Sequence, residues 1–329
     1  MAHQITTRAD NFAEMAYTGE TPWHGLGQKL EENAPIEQWI TSAGMDYTVR
    51  KTKIQYYADR AENDLRVDPD FVALVRSDNG ERLGIVGEDY QIVQPFEVLE
   101  FFRDLVKDAG FKLHTAGTLF GGKRYWALAQ LEGATIAGWD KVGGYYLLST
   151  TADGTRATEG RETTVRVVCN NTLSMALSHD LTAHGFRLSH RERFEADKIL
   201  QKQLGLAQEH FHKFMEAANG LSKIKCSLAG ADEFLMKLLA SKPVEGLDDE
   251  ANPRRPKGID SILALFEGAG RGAEQKGSKG TMWGLLNSVT EYVDHFATAK
   301  TLDHRLDRAM WGTGDRLKTE AFMQALELV

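Results

Sequence analysis

Cysteine is nearly absent from this 329-residue chain, which carries only Cys169 and Cys226. Two thiols build neither a disulfide framework nor a four-cysteine zinc site, and both are expected to be reduced and buried. Long apolar runs are also missing. No window approaches the roughly 18 apolar residues that a membrane helix needs. The first twenty residues, MAHQITTRADNFAEMAYTGE, hold no apolar stretch of the signal-peptide kind. A soluble protein of the cytoplasm is therefore expected, without a membrane partner. There is no surplus of positive charge, since 39 Lys+Arg stand against 47 Asp+Glu, a net −8. That excludes coating duplex DNA by charge alone and leaves room only for a local basic groove. HExxH and GxSxG are both missing, and no repeat of 20 to 50 residues is visible.

What is present is an ordinary globular composition, 42% hydrophobic and 26% charged, on a chain long enough for one large domain or two. Residues 1–20 read as a polar, flexible arm. A short helix is expected over Ile36–Ala43, opened by Pro35 and ended by Gly44. Strand patterns follow at Tyr47–Tyr57, Phe71–Arg76 and Arg82–Val86. Asn79-Gly80 between the last two is a strong hairpin signal. Apolar residues from Phe96 to Val106 recur at helical spacing. Two hairpins come next, FKLHTAGTLF with KRYWALAQL and GYYLLSTTA with TRATEGRETTVRVVC. Asn170-Asn171-Thr172 is expected to cap a helix from Leu173. From Arg191 onward the pattern is helical, with a proline-bearing loop at 241–258 and a glycine-rich connection at 268–280. The fold class expected is α+β: an antiparallel β-hairpin sheet over 21–190, backed by helices, then a mostly helical region over 191–329.

Four patterns carry candidate chemistry. Gly117-Thr118-Leu119-Phe120-Gly121-Gly122-Lys123 has the spacing of a phosphate-binding loop. Arg124 stands where a magnesium-binding hydroxyl belongs, and a strand follows instead of a helix, so a hairpin turn is expected. Cys169 closes an apolar strand run and reads as structural. The histidines His179, His184 and His190 cluster beside Asp180 without metal-ligand spacing. Finally, cations interleave with aromatics three times. Arg50, Lys51 and Lys53 precede Tyr56 and Tyr57; Lys123 and Arg124 precede Tyr125 and Trp126; Arg156, Arg161 and Arg166 share one long arm. That interleaving suits single-stranded nucleic acid, where phosphates meet charge and bases stack.

Several segments in order resemble one family. TPWHGLG at 21–27, RSDNGERLGIVGEDYQIVQPFEVLEFF at 76–102, TAGTLFGGKRYWALAQL at 115–131, TTVRVVCNNTLSMAL at 163–177 and GTMWGLLNSVTEYVDH at 280–295 are similar to the signatures of the DUF932 family of phage- and plasmid-encoded proteins. The resemblance implies a gene carried by phage, prophage or plasmid and made in a bacterial cytoplasm, among genes of DNA metabolism. It assigns no functional residues. The hairpin-helix order also resembles, in pattern alone, the core of Rad52-like single-strand annealing proteins.

The leading expectation is a single-stranded DNA binding and annealing protein for recombination or replication, working as a homo-oligomeric ring or filament without a cofactor. Lys51, Lys53, Lys123, Arg124, Arg156 and Arg161 would contact phosphate, and Tyr57, Tyr125 or Trp126 would stack on bases. Two alternatives stand beside it. One is an interaction module for a phage or host protein. The other is an enzyme centred on His24 or on His179, His184 and His190.

Overall fold

The computed structural model describes residues 5–19, 21–22, 25–61, 63–108, 111–166, 171–174, 185–239, 255–256, 258–298 and 302–328. The fold is α+β, as the pattern predicts. Strands β1 (Met15–Tyr17) and β2 (Gln28–Lys29) precede α1 (Ile36–Ser42). Three strands follow: β3 (Val49–Asp59), β4 (Asp64–Arg76) and β5 (Arg82–Gly87). Next come α2 (Pro95–Asp108), β6 (Lys112–Leu119), β7 (Arg124–Ile136), β8 (Asp140–Thr151), β9 (Thr158–Arg166), β10 (Asn171–Ser174) and β11 (Gly185–Leu188). The rest is helical: α3 (Ala196–Leu221), α4 (Leu228–Leu239), α5 (Ile259–Ala264), α6 (Met282–Glu291), α7 (Leu302–Trp311) and α8 (Thr313–Leu326).

The chain divides into two compact units. The first holds Met1–Leu131, Tyr145–Glu162 and Leu181–Ala207, and the second Glu132–Gly144, Thr163–Asp180 and Gln208–Val329. Strands give way to helices after Leu188, near the expected boundary, but the units are not cut there. The far ends of the long strands pack on helices within the second unit. Gly144 lies so close to the Phe211 ring that an added Cβ would sit 2.6 Å from it.

In the first unit the larger sheet runs β9-β8-β7-β6-β1-β2, with β11 also on β9, and a separate sheet runs β3-β4-β5. All pairings with a defined register are antiparallel except β1 with β2. The expected flexible arm is instead part of this sheet. Ile5, Ala13, Met15, Ala16 and Tyr17 are buried, and β1 pairs with β6. The reason is Glu14, fully buried, which takes Nε of Arg8 at 2.8 Å, both terminal nitrogens of Arg76 at 2.8 and 3.2 Å, and the Thr118 hydroxyl. Arg76 uses every donor of its guanidinium, adding Asp78 at 3.0 and 2.8 Å and the Gly121 carbonyl at 3.2 Å. Its plane lies 3.8 Å from the centre of the Tyr47 ring.

Helix α2 begins on a capping box. The Glu97 carboxylate accepts the Gln94 N–H at 2.6 Å, and Pro95 takes the first turn. Its buried face, Val98, Leu99, Phe101 and Phe102, joins Trp39, Met45, Leu74, Tyr125 and Tyr146 in the first unit's core. The second unit is built round α6, every residue of which is buried. Phe214 meets Trp283 edge-on at 6.3 Å and Phe322 at 5.2 Å, and Lys318 pairs with Asp294 at 2.7 Å out of solvent.

Two further expectations change. Residues 171–174 form a strand on β9 rather than the start of a helix. The glycine-rich stretch at 268–280 is a series of turns tied to the helices, its Arg271 N–H held by the buried Glu291 carboxylate. Most of the loop expected at 241–258 lies outside the described residues.

Replacing Arg76 with alanine strands a buried carboxylate, and a loss of about 3–5 kcal/mol is expected from urea unfolding. Glu162 on β9 makes a second, pH-dependent prediction. It is fully buried, and burial pushes its carboxyl up to about 8. The folded state therefore holds a proton that the unfolded chain releases near pH 4.3. This contribution is complete below that value and is lost as pH rises through about 8. Thermal midpoints should fall between pH 5 and 8, and Glu162→Gln should flatten that slope.

Candidate nucleic-acid interface

The β3-β4-β5 sheet has one face on the core and one in solvent. Alternation along β3 sends Val49, Lys51, Lys53 and Tyr57 to one side and Arg50, Thr52, Ile54 and Tyr56 to the other. The register sets Val49 opposite Arg76, Lys51 opposite Leu74 and Lys53 opposite Val72, so this is the core-facing side. Lys51 and Lys53 stay exposed because β3 is an edge strand, and the Lys51 ammonium donates to the Glu88 carbonyl. On the solvent side Arg50 lies opposite Val75, Thr52 and Ile85 both pair with Ala73, and Arg82 pairs with Val75. Phe71 and Ile85 on this side are about half exposed, at 49% and 48%.

Beyond the core the hairpin continues as an arm open to solvent. Asp68, Pro69, Asp70 and Phe71 interrupt the β3–β4 register, and the Asp68 carboxylate accepts the Asp70 and Phe71 N–H groups at 2.9 and 3.0 Å. Past this turn Tyr56 lies opposite Arg66 and Tyr57 opposite Leu65. Tyr56, Tyr57, Leu65 and Val67 are all about half exposed. Charge of both signs runs along the arm, with Arg60 and Arg66 beyond its base. Arg50, Lys51, Lys53 and Arg82 sit at its base. Asp59, Asp64, Asp68 and Asp70 lie toward the tip, where Asp64 also holds Arg66 at 2.6 Å.

Among the described residues, Gln94 meets the free edge of β3. The Gln94 amide accepts the Val49 N–H at 2.8 Å and donates to the Val49 carbonyl at 3.1 Å. A side-chain amide thus occupies the place of a neighbouring strand. Strand alternation then turns the N–H and C=O groups of Lys51 and Lys53 to the same open edge.

The structure gathers the first predicted cluster, Arg50, Lys51, Lys53 and Tyr57, on this arm. The second cluster is corrected in part. Lys123 is exposed, but Arg124, Tyr125 and Trp126 are buried at 5%, 0% and 7%. Tyr125 gives its hydroxyl to the Val93 carbonyl within the core, so neither ring has an open face for a base. Residues 124–129 of β7 are buried on both sides, and its aromatics are packing residues. In the third group Arg156 and Arg161 are half-buried on β9 and the turn before it, and the Arg166 side chain lies outside the described residues. Phe71 and Arg82 were not singled out from sequence. The Asn79-Gly80 turn held the signal, because its register carries Arg82 across from Val75.

The phosphate-loop spacing at 117–123 makes the expected hairpin turn, with Phe120, Gly121 and Gly122 all at positive φ. A Cβ on Gly122 would lie 2.5 Å from the Tyr47 hydroxyl and 2.7 Å from Arg76, so the glycine admits the guanidinium and not a phosphate. Of the suggested catalytic histidines, His24, His179 and His184 lie outside the described residues. His190 stacks on Tyr90 at 4.3 Å, and its two ring nitrogens lie 3.0 Å from the Gln91 and Arg156 carbonyls, one of which accepts the N–H of the neutral ring. Burial holds its pKa below the usual histidine range, against the raising effect of those carbonyls. Among the described residues no three His, Cys, Asp or Glu side chains form a metal-binding group. No helix among them is long and apolar enough to cross a membrane.

No curated protein and no solved structure matches the chain, and nothing in the comparisons supports the likeness of pattern to Rad52-like proteins. One family does match, over residues 82–311, which takes in α2, the β6–β9 hairpins and the helices through α7. The chain belongs to the family described as "Domain of unknown function (DUF932)".

Proposed function

We propose that this protein binds single-stranded DNA and promotes its annealing, as a homo-oligomer, in the recombination or replication of phage or plasmid DNA in a bacterial cytoplasm. The carrying observation is the β3-β4-β5 arm, which bears half-exposed Phe71, Tyr56 and Tyr57 and the exposed cations Arg50, Lys51, Lys53 and Arg82, with Lys51, Lys53 and Tyr57 on one face and Arg50, Tyr56, Phe71 and Arg82 on the other. Aromatic rings on a sheet surface accept any base, and flanking cations follow the backbone, so such a surface needs no cofactor and reads no sequence. The net −8 of the chain is compatible with this, because the phosphate contacts are local. Lys123 adds an exposed cation elsewhere in the first unit.

A second reading is supported by Leu65, Val67 and Ile85. These exposed aliphatic side chains offer little to a base, and together with the open β3 edge they suit a protein strand laid against the arm.

Fluorescence anisotropy of a labelled oligothymidylate, titrated at about 50 and 200 mM salt, separates the two. Binding that weakens steeply with salt is expected. Lys51→Ala with Lys53→Ala should flatten the log–log slope by about 1.4, at roughly 0.7 per single-strand phosphate contact. Tyr57→Ala should cost about 1–3 kcal/mol of binding. Annealing is read separately, as the rate at which two complementary oligonucleotides form duplex. No binding at about 50 mM salt with micromolar protein would overturn the DNA reading and leave the protein-docking arm.

A further inference from the structure

The most exposed large hydrophobic side chain among the described residues lies on neither cationic cluster. Trp139 is 64% exposed at the turn between β7 and β8, in the second unit. The other described tryptophans, Trp39, Trp126, Trp283 and Trp311, are 1–7% exposed. Tryptophan is highly buried on average and is enriched at interfaces, where one end of the ring is apolar and the other wet.

Its surroundings are rigid and built from both ends of the unit. Ala137 and Gly138 turn the chain with positive φ, and the Trp139 N–H closes the turn on the Ile136 carbonyl at 3.1 Å. The Ala137 N–H is held by the Asn219 side chain of α3 at 2.9 Å. The next residue, Asp140, points inward and accepts the Trp283 indole N–H at 2.9 Å. On the facing side the 268–280 loop comes so close that a Cβ on Gly277 would lie 2.6 Å from that of Ala137. Trp139, Gln275 and Lys276 together line a shallow pocket there. Lys276 is exposed, and Lys141, two residues past Trp139, is exposed as well. The carboxylate nearest in sequence, Asp140, is buried and turned away, while Glu274 is engaged by Lys279 at 2.5 Å.

We infer that this pocket is a second contact for single-stranded DNA, in which one base stacks on the Trp139 indole and an adjoining phosphate meets the Lys276 ammonium. The inference rests on the single-strand reading above and adds to it a site outside the arm. The ligand chemistry follows from the parts. An open indole face takes a flat aromatic ring, the flanking lysines favour an anion beside that ring, and a nucleotide within a strand supplies both. Because the platform is fixed before binding, little ordering is lost when a base lands on it.

Tryptophan emission of the intact protein reports the site directly, since Trp139 is the exposed indole among those described. Oligothymidylate should quench part of the emission and shield it from acrylamide, and Trp139→Phe should abolish both signals while keeping most of the affinity. Trp139→Ala should weaken binding by about tenfold, within the range of one lost base stack. Lys276→Ala should reduce the salt slope by about 0.7. Anisotropy run on the same samples distinguishes the failures. Binding with unchanged emission, and with wild-type affinity in Trp139→Ala, overturns this site and leaves the arm. No binding by either readout overturns both.

Discussion

A carboxylate and a guanidinium buried against each other hold the first unit together. Glu14 and Arg76 are both essentially without solvent contact, at 0% and 1% exposure. Two such charges are tolerable in the interior only when their hydrogen-bonding capacity is filled. Here the requirement organises three separate pieces of chain. Arg8 and Glu14 come from the N-terminal segment, Arg76 and Asp78 from the end of β4, Thr118 from β6, and the Gly121 carbonyl from the turn after it. The burial of β1, the glycine at 122 and the placement of Tyr47 under the guanidinium all follow from satisfying this pair. So does the anchoring of the arm, because Arg76 is the inner end of β4.

The arm is the counterpart of that anchor. One end of the β3–β4 hairpin is fixed by Arg76, by the Gln94 amide on Val49 and by Leu74 in the core. The other end runs out beyond any packing partner among the described residues. Side chains that alternate in and out near the base therefore become exposed on both faces toward the tip. A surface of this kind combines rigid attachment with open aromatic and aliphatic groups, which is what binding to an extended strand demands, whether of nucleic acid or of protein. Trp139 repeats the principle in the second unit on a smaller scale. A short turn is held from below by Asn219 and Trp283, and one large ring is left outside.

Much of the architecture was legible in local sequence. Asn79-Gly80 marked the β4–β5 turn, Gly121-Gly122 the β6–β7 turn and Asp153-Gly154 the β8–β9 turn, because each places glycine where the chain needs a positive φ. Pro95 with Glu97 marked the start of α2. The failures have one cause in common. Polar residues in the N-terminal segment suggested an exposed arm, but Glu14 is polar because it serves a buried partner 62 residues away at Arg76, and Arg8 because it serves Glu14 in turn. Tyr125 and Trp126 suggested a stacking surface because they follow two cations, whereas the first half of β7 has both its faces covered. Asn171 and Thr172 suggested a helix cap, and pairing with β9 overrode that local preference.

The sequence by itself determined the order of hairpins and helices, the turns, the family and the composition of the cationic and aromatic clusters. These depend on backbone conformational limits and on residues near one another in the chain. Tertiary structure alone decided which aromatics are covered and which are open. Tyr57 and Trp139 face solvent while Tyr125 and Trp126 do not, although all four stand beside cations or turns in the sequence. Exposure depends on what packs from distant parts of the chain, and a strand carries no local mark of whether its second face will be covered.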